Sequence, residues 1–423
     1  MNLCNDAREI IRSALVAVQP DAAVARALEH LPKYSGRLVL IAAGKAAWQM
    51  AHAACGVLGC AIDSGVVVTK YDHVRGELPP LQLFEAGHPV PDENSYRGTR
   101  AALDAVKNLT EDDLVLFLLS GGGSALFESP VIPAEEMADI TAQLLACGAD
   151  IVEMNTIRKR LSAVKGGRFA QFCAPAKVFA VVLSDILGDP LDSIASGPAY
   201  PDSSTCAQAQ KIAEKYALRL SDEARKCLQT ETPKTLDNVE THITGSVREL
   251  CAAAAKTCSA LGYEPVLLTD RMNCEARDAG AFLAAIAATH AADGARRAYI
   301  AGGETVVHLH GKGKGGRNQE LALSAARGIA GIDNALIFSV GSDGTDGPTD
   351  AAGGYVTGKT VRALLEKGVD VEAVLADNDA YHALKALGEP MRPDADGAQD
   401  NGGLILTGPT GTNVNDVSVL LIG

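Results

Sequence analysis

Short apolar runs alternate with helix-like segments along the first half of the chain. Each run is continuous rather than alternating with polar residues, which is typical of strands buried on both faces of a parallel sheet. The predicted strands are 37–43, 65–69, 81–86, 114–119 and 178–183. The intervening patterns predict helices within 6–30, from residue 46, and at 133–148 and 155–171. This order predicts an α/β fold with helices on both faces of a mostly parallel sheet.

A second α/β block is predicted to begin near residue 241, after helices and a polar connector at 203–240. Its strands are expected at 264–268, 298–301, 304–309, 336–340 and 417–422, with an alanine-rich helix at 274–292. We therefore expect a Rossmann-like, three-layer α/β/α domain over residues 1–238. A smaller α/β domain would cover residues 239–423. Whether the last strand returns to the N-terminal domain is left open.

Composition narrows the class of protein. The 423 residues are 47% hydrophobic and carry a net charge of −14, which argues against general nucleic-acid binding. The ten cysteines show no zinc spacing and are expected to be reduced thiols. We expect neither a signal peptide nor a membrane span. These features predict a cytoplasmic protein with a small-molecule substrate and neither nucleic-acid nor membrane partners; a homodimer is left open.

Three glycine-rich segments carry the unusual chemistry. The lysine turn (Gly44–Ala46) follows the first strand, and the serine–glycine turn (Ser120–Ser124) follows strand 114–119. The arginine loop (Gly311–Glu320) carries Lys312, Lys314 and Arg317. Backbone N–H groups where a glycine turn opens a helix attract anions, so these segments predict a nucleotide or phosphorylated substrate. An exposed lysine or a flexible hairpin tip would be the simpler structural interpretation.

The serine–glycine turn fits neither of two common motifs. It lacks the Walker spacing of glycine, lysine and serine or threonine. Ser124 as a hydrolase nucleophile would need a Gly-x-Ser-x-Gly sequence, which is absent.

Basic residues crowd between positions 158 and 168 of this acidic chain. Such a patch suits a small anionic ligand, and a solvated helix face is the alternative. The residues are Arg158, Lys159, Arg160, Lys165 and Arg168.

Several carboxylates follow predicted strands. Asp185 stands at the end of strand 178–183, with Asp189 and Asp192 after it, where carboxylates could hold Mg²⁺ or accept a hydroxyl proton. Asp343 and Asp346 lie on a glycine loop that also includes Asp350. Ordinary turn and capping roles are the alternative for these aspartates.

The motif set as a whole resembles the glycerate 2-kinase family, whose members carry a C-terminal module named MOFRL. The resemblance covers the chain from about residue 5 onward. It rests on Gly44-Lys45-Ala46, the serine–glycine turn with Ala125-Leu126, Asn155–Arg160, Leu183–Asp189 with Ser196–Pro198, Gly302–Val306, Gly315–Glu320 and Gly341–Gly347.

This resemblance implies phosphorylation of D-glycerate at the 2-hydroxyl, with ATP and Mg²⁺ as cofactors. The family's lysine and arginine match Lys45 and Arg317, and the resemblance implies that both line a cleft between the two domains. Two other functions stay open: an NAD(P)H-dependent hydroxypyruvate reductase and a non-catalytic nucleotide or sugar-acid sensor. A reductase would need a dinucleotide fingerprint, which none of the strand-end turns shows.

The resulting hypothesis gives catalytic roles to Lys45, Arg317, Asp185 and Asp189. Metal binding is expected at Asp185, Asp189 and Asp346. The residues expected to bind substrate or nucleotide are Gly44, Ser120, Gly121, Gly122, Gly123, Ser124, Arg160, Ser196, Glu304, Asn318 and Asp343.

Overall fold

The computed structural model describes residues 2–184, 192–395 and 402–423. Two contact units divide it. One contains Pro20–Ser184 and the described residues up to Thr244; the other contains the residues up to Gln19 together with Gly245–Gly423. No helix in the described ranges combines the length and apolar content that a bilayer crossing requires.

The first unit is built on a six-stranded sheet. Its strands are β1 (Leu38–Ala43), β2 (Ser64–Lys70), β3 (Leu81–Ala86), β4 (Leu114–Leu119), β5 (Lys177–Val182) and β6 (Val239–Ile243). They pair in the order β3-β2-β1-β4-β5-β6, and every pair is parallel. This is the strand order of Rossmann folds, and it confirms the predicted α/β class.

Nine helices of the described chain accompany this sheet. They are α2 (Pro20–Leu28), α3 (Ala47–Leu58), α4 (Glu93–Ala105), α5 (Gly123–Leu126), α6 (Ala134–Ala146), α7 (Ile151–Arg160), α8 (Arg168–Cys173), α9 (Cys206–Lys215) and α10 (Asp222–Leu228). Apolar faces of α2 and α3 pack on one side of the sheet. On strand β4, Phe117 points away from that cluster, and its ring contacts the tilted rings of Phe127 and Phe169.

The second unit contains a mixed six-stranded sheet. Its elements are α1 (Leu3–Ala17), α11 (Val247–Ala260), β7 (Glu264–Met272), α12 (Ala276–His290), β8 (Arg297–Gly303), α13 (Arg317–Gly328), β9 (Ala335–Gly341), β10 (Gly353–Thr357), α14 (Thr360–Glu366), α15 (Val371–Ala376), α16 (Ala380–Leu387), β11 (Leu404–Ile405) and β12 (Asp416–Ile422). The strand order is β11-β10-β9-β12-β8-β7, and only the β7–β8 pair of these described strands is parallel. Helices α1 and α11 cover one face, and α12 and α13 cover the other.

The contact units differ from the division expected at 238/239. Residues 239–243 form β6 and extend the first sheet through β5, so the division falls at Thr244 and Gly245. Helix α1 belongs to the second unit because its apolar face, including Ile10 and Ile11, packs with α11. The last strand, β12, lies inside the second sheet between β8 and β9 rather than in the first.

Two local predictions were wrong. The helix expected over 155–171 is divided: α7 ends at Arg160 and α8 begins at Arg168, and Gly166 and Gly167 between them adopt positive φ angles of 59° and 84°. The strand expected over 304–309 is irregular apart from one bridge at Val306. Strand β8 ends at Gly303, whose φ of 153° turns the chain.

Candidate functional site

The order of the first sheet reverses between β1 and β4. Ligands of such sheets bind at the carboxyl ends of the strands beside this reversal. The lysine turn follows β1 and the serine–glycine turn follows β4, so the topology brings the two segments together.

Hydrogen bonds join the two turns directly. The N–H of Lys45 donates to the carbonyl of Gly121 at 2.9 Å, and the N–H of Ala46 donates to Ser120 Oγ at 3.0 Å. A Cβ added to Gly44 would lie 2.2 Å from Ser120 Oγ, and Gly44 has a φ of 125°. Only glycine fits this approach without displacing the serine–glycine turn.

The joined turns leave anion-binding groups free. Within the described residues, no acceptor takes the backbone N–H of Gly121, Gly122 or Ser124. The exposed Lys45 ammonium likewise has no ion-pair or hydrogen-bond partner among them. Adjacent N–H groups and an unpaired cation can bind a phosphate or a carboxylate.

Further basic groups lie at the ends of the neighbouring strands. Lys70 ends β2, His73 follows it, and His88 follows β3. Burial lowers the pKa of His88 below its usual 6.5, and the charges of Lys45, Lys70 and His73 lower it further. The sequence hypothesis did not assign these residues a role, although the strand ending at Gly87-His88 was a recognisable signal.

Ser124 is held at both its hydroxyl and its carbonyl. Ser196 Oγ donates to Asn155 Oδ1 at 3.0 Å, so Ser124 must be the donor in its 3.1 Å contact with Ser196 Oγ. The carbonyl of Ser124 accepts from Arg158 at 3.0 Å and from Lys165 at 2.9 Å. Ser124 and Ser196 therefore support the shape of the turn.

The basic residues at 158–168 form an internal network, contrary to both interpretations of this patch. The carboxylate of buried Glu128 lies 3.4 Å from Lys165 and 3.7 Å from Arg158. Burial lowers the pKa of Lys165 to about 8, with Glu128 opposing the shift and Arg158 adding to it.

Arg160 belongs to the same internal network. Its side chain is fully buried and donates to Ser204 and, at 3.2 Å, to Glu231. Nearby, Lys159 pairs with Asp202 at 3.0 Å. The guanidinium of Arg160, which was expected from the sequence to bind substrate, thus makes its hydrogen bonds inside the protein.

In the second unit, Arg317 lies between two carboxylates. It binds Asp416 through two hydrogen bonds of 2.5 and 3.0 Å, and it donates to Glu304 at 3.0 Å. Burial lowers the pKa of Arg317, but the hydrogen bonds and charge of Asp416 outweigh burial and raise it. Asp416 is nearly fully buried, whereas the side chain of Glu304 is 47% exposed.

Asp346 occupies the N-terminus of α13. Its carboxylate accepts the backbone N–H groups of Asn318 at 3.1 Å and Gln319 at 2.9 Å. The side chain of Asn318 is buried and accepts a 2.5 Å hydrogen bond from Ser339. The helix end that was expected to cradle a ligand anion is therefore satisfied by a carboxylate of the protein itself.

The rest of the arginine loop is pinned rather than flexible. The N–H of Lys312 donates to Asp377 Oδ1 at 2.9 Å, and the N–H of Lys314 donates to Asp379 Oδ1 at 2.9 Å. The ammonium of Lys314 lies 4.6 Å from the ring centre of Tyr381.

The remaining candidate carboxylates are Asp343, expected to bind substrate or nucleotide, and Asp185 and Asp189, expected to bind metal. Asp343 accepts the N–H of Thr345 within its own turn at 3.0 Å. Asp185 and Asp189 lie outside the described residues. Among the residues that are described, no three His, Cys, Asp or Glu side chains group closely enough to hold a metal ion.

Comparison with known proteins adds independent evidence. The D-glycerate 2-kinase of Thermotoga maritima is 50% identical to this chain over 421 residues, which cover 98% of this chain and 97% of that protein. The chain belongs to the glycerate 2-kinase family. Residues 6–229 match a family described as a domain of unknown function, and residues 297–416 match the MOFRL family, as the sequence predicted.

Structural comparison places the fold in the same family. The crystal structure of glycerate kinase from Thermotoga maritima aligns with a TM-score of 0.92 and 49% identity, covering 100% of this chain and 99% of that one. A protein of Agrobacterium vitis that carries the provisional name hydroxypyruvate reductase is 37% identical, over 98% of this chain and 94% of its own. Members of this glycerate 2-kinase family thus carry two different activity names.

Proposed function

We propose that this protein transfers the γ-phosphoryl group of ATP to the 2-hydroxyl of D-glycerate, giving 2-phosphoglycerate. The observation that carries the proposal is the 50% identity with a D-glycerate 2-kinase over nearly the whole of both chains. The interlocked turns after β1 and β4 support it, because they offer a free cation and free N–H groups at the usual ligand edge of a Rossmann sheet.

Both substrates are anions and the protein is acidic overall, so binding depends on local positive charge. We assign Lys45 to the transferring phosphoryl group, since an ammonium on a flexible stem acts as a mobile point charge. The N–H groups of Gly121, Gly122 and Ser124 would bind oxygen atoms of the same anion. Phosphoryl transfer needs mainly positioning and charge neutralisation, which this arrangement can supply.

Arg317 is proposed as a second catalytic cation. Its guanidinium has five N–H donors, of which Asp416 takes two and Glu304 takes one. The two remaining donors can bind a carboxylate or phosphoryl oxygen. Buried Asp416 holds the guanidinium in place, and the half-exposed Glu304 is the partner that an incoming anion would displace.

Magnesium is proposed to enter with the nucleotide as part of the substrate. Such ions commonly use one or two protein carboxylates and complete their coordination with phosphates and water. Asp346 is committed to the N-terminus of α13 and Asp416 to Arg317. Asp185 and Asp189 are therefore retained as the proposed magnesium ligands.

The test measures the rate of ADP release from ATP in the presence of D-glycerate and compares wild type with Lys45→Ala and Arg317→Ala. We expect each variant to lose at least about 100-fold in kcat/KM, because each removes a cation that we propose to bind the anionic substrates. Lys107→Ala is the matched control, since Lys107 pairs with Asp104 on the surface of α4. Undiminished turnover in both variants would remove these cations from the mechanism.

The alternatives give different signals in the same preparation. Hydroxypyruvate reductase activity would appear as NADH oxidation with hydroxypyruvate. A sensor would bind ATP or glycerate without releasing ADP. Either pattern without glycerate-dependent ADP formation would replace the kinase proposal.

A further inference from the structure

His88 is fixed against the serine–glycine turn by the backbone that precedes it. The carboxylate of Asp92, which caps α4 through Ser95, lies against Gly87: a Cβ added to Gly87 would come within 3.0 Å of Asp92 Oδ2. A Cβ on Gly87 would lie 2.7 Å from the carbonyl of Val90, so the turn that leads into His88 is tight.

The imidazole lies beside Gly122, next to the side chain of Lys45. A Cβ added to Gly122 would come within 3.0 Å of His88 Cδ2, 3.1 Å of Nε2 and 3.1 Å of Lys45 Cγ. Gly122 also has a φ of 85°. The missing side chain at Gly122 therefore lets both groups approach the free N–H groups of the turn.

Neither ring nitrogen of His88 has a hydrogen-bond partner among the described residues. The carboxylates of this region are already engaged: Asp92 accepts from Tyr71 at 2.8 Å, and Glu85 accepts the N–H groups of His73 and Val74. The charges that act on the imidazole come from Lys45, Lys70 and His73. They favour the neutral ring, which can accept a proton.

We propose that His88 is a catalytic residue that accepts the proton of the substrate hydroxyl during phosphoryl transfer. The inference rests on the proposed kinase function. The O–H bond breaks as the hydroxyl oxygen bonds to the γ-phosphorus, and the bond from that phosphorus to the bridging oxygen breaks. ADP leaves with the electron pair, and the proton passes from His88 Nε2 to solvent. In this mechanism His88, rather than Asp185 or Asp189, accepts the proton.

The first test compares kcat against pH at saturating D-glycerate and magnesium-ATP. At saturating substrate, the ionisation of free nucleotide no longer affects the rate. The pH profile of kcat therefore reports the ionisation of groups in the enzyme–substrate complex. We expect the kcat of wild type to fall at low pH, because a protonated His88 cannot accept the hydroxyl proton. His88→Gln should lose about 100-fold or more in kcat, keep its KM for ATP within about threefold, and lack this acid limb.

Two further measurements separate chemistry from structure. Added imidazole should restore part of the turnover of His88→Ala, which a purely structural defect would not allow. His52→Gln changes an exposed histidine on α3 and should retain wild-type kcat. Nitrogen NMR of wild type in the complex with D-glycerate and ADP should give a His88 pKa that matches the acid limb of kcat.

Several outcomes would overturn the inference. A His88→Gln variant with kcat within about threefold of wild type, or with the acid limb unchanged, would exclude His88 as the proton acceptor. A mismatch between the NMR pKa and the acid limb would do the same without any variant. If wild type itself does not phosphorylate glycerate, the proposed function fails and the role of His88 fails with it.

Discussion

The buried pair of Lys165 and Glu128 allows a quantitative prediction for Lys165→Met. The change leaves the carboxylate of Glu128 buried with Arg158 as its remaining cation, 3.7 Å away. Breaking a buried ion pair from one side commonly costs 3–5 kcal/mol, and the remaining arginine places this case near the lower end, at about 3 kcal/mol. Unfolding can be followed by the fluorescence of Trp48, the only tryptophan of the chain, on α3 in the same unit.

A double-mutant cycle isolates the pair. Glu128→Gln alone should cost a similar amount, because it leaves Lys165 and Arg158 without a countercharge. The combination of Glu128→Gln with Lys165→Met removes both charges, so it should cost at least about 2 kcal/mol less than the sum of the single changes. Strictly additive single changes would show that the two groups do not interact as described.

The pH dependence gives a second check of the same pair. Folding lowers the pKa of Lys165 from 10.5 to about 8, so between these values the folded state has released a proton that the unfolded state retains. The unfolding free energy of wild type should therefore rise with pH, relative to Lys165→Met, by about 1.4 kcal/mol per pH unit in this window. A difference that stays constant from about pH 8 to about pH 10 would refute the reasoning.

Two other changes test the turn and the arginine network. Gly44→Ala should reduce kcat/KM by about 100-fold or more, since its Cβ would lie 2.2 Å from Ser120 Oγ. Gly56→Ala, where a Cβ meets nothing within 4 Å, should leave activity unchanged, and equal activity of the two variants would contradict the steric argument. Arg160→Lys should lower stability by about 2–3 kcal/mol, measured by urea unfolding, with an unchanged KM for ATP. Arg219→Lys on the surface is its control, and a raised KM in Arg160→Lys alone would return Arg160 to the binding site.

The sequence was sufficient for five of the six strands of the first sheet and for the two turns of the ligand edge. Continuous apolar runs end at Ala43 and Leu119, and the glycines after them mark where the chain leaves the sheet. The local pattern indicates these features, because a continuous apolar run is typical of a strand buried on both faces and a glycine permits the turn that follows it. Their meeting at the reversal of strand order then follows from parallel topology.

Features that depend on distant residues could not be predicted in the same way. The N-terminus of α13 looks free in the sequence, yet Asp346, far along the chain, satisfies it. The sequence around Arg160 does not show that its guanidinium binds Ser204 and Glu231, which are distant in the chain. The amphipathic pattern of α1 indicates a buried face but does not say which sheet will cover it.

The most direct test of the central claim is the identity of the product formed by wild type. Wild type is incubated with D-glycerate and magnesium-ATP, and the product is then treated with enolase in the absence of phosphoglycerate mutase. Under these conditions enolase consumes only the 2-phosphate isomer. We expect enolase to consume it in an amount equal to the ADP released. ADP formation whose product needs the mutase, or NADH consumption with hydroxypyruvate and no ADP from glycerate, would contradict 2-hydroxyl phosphorylation.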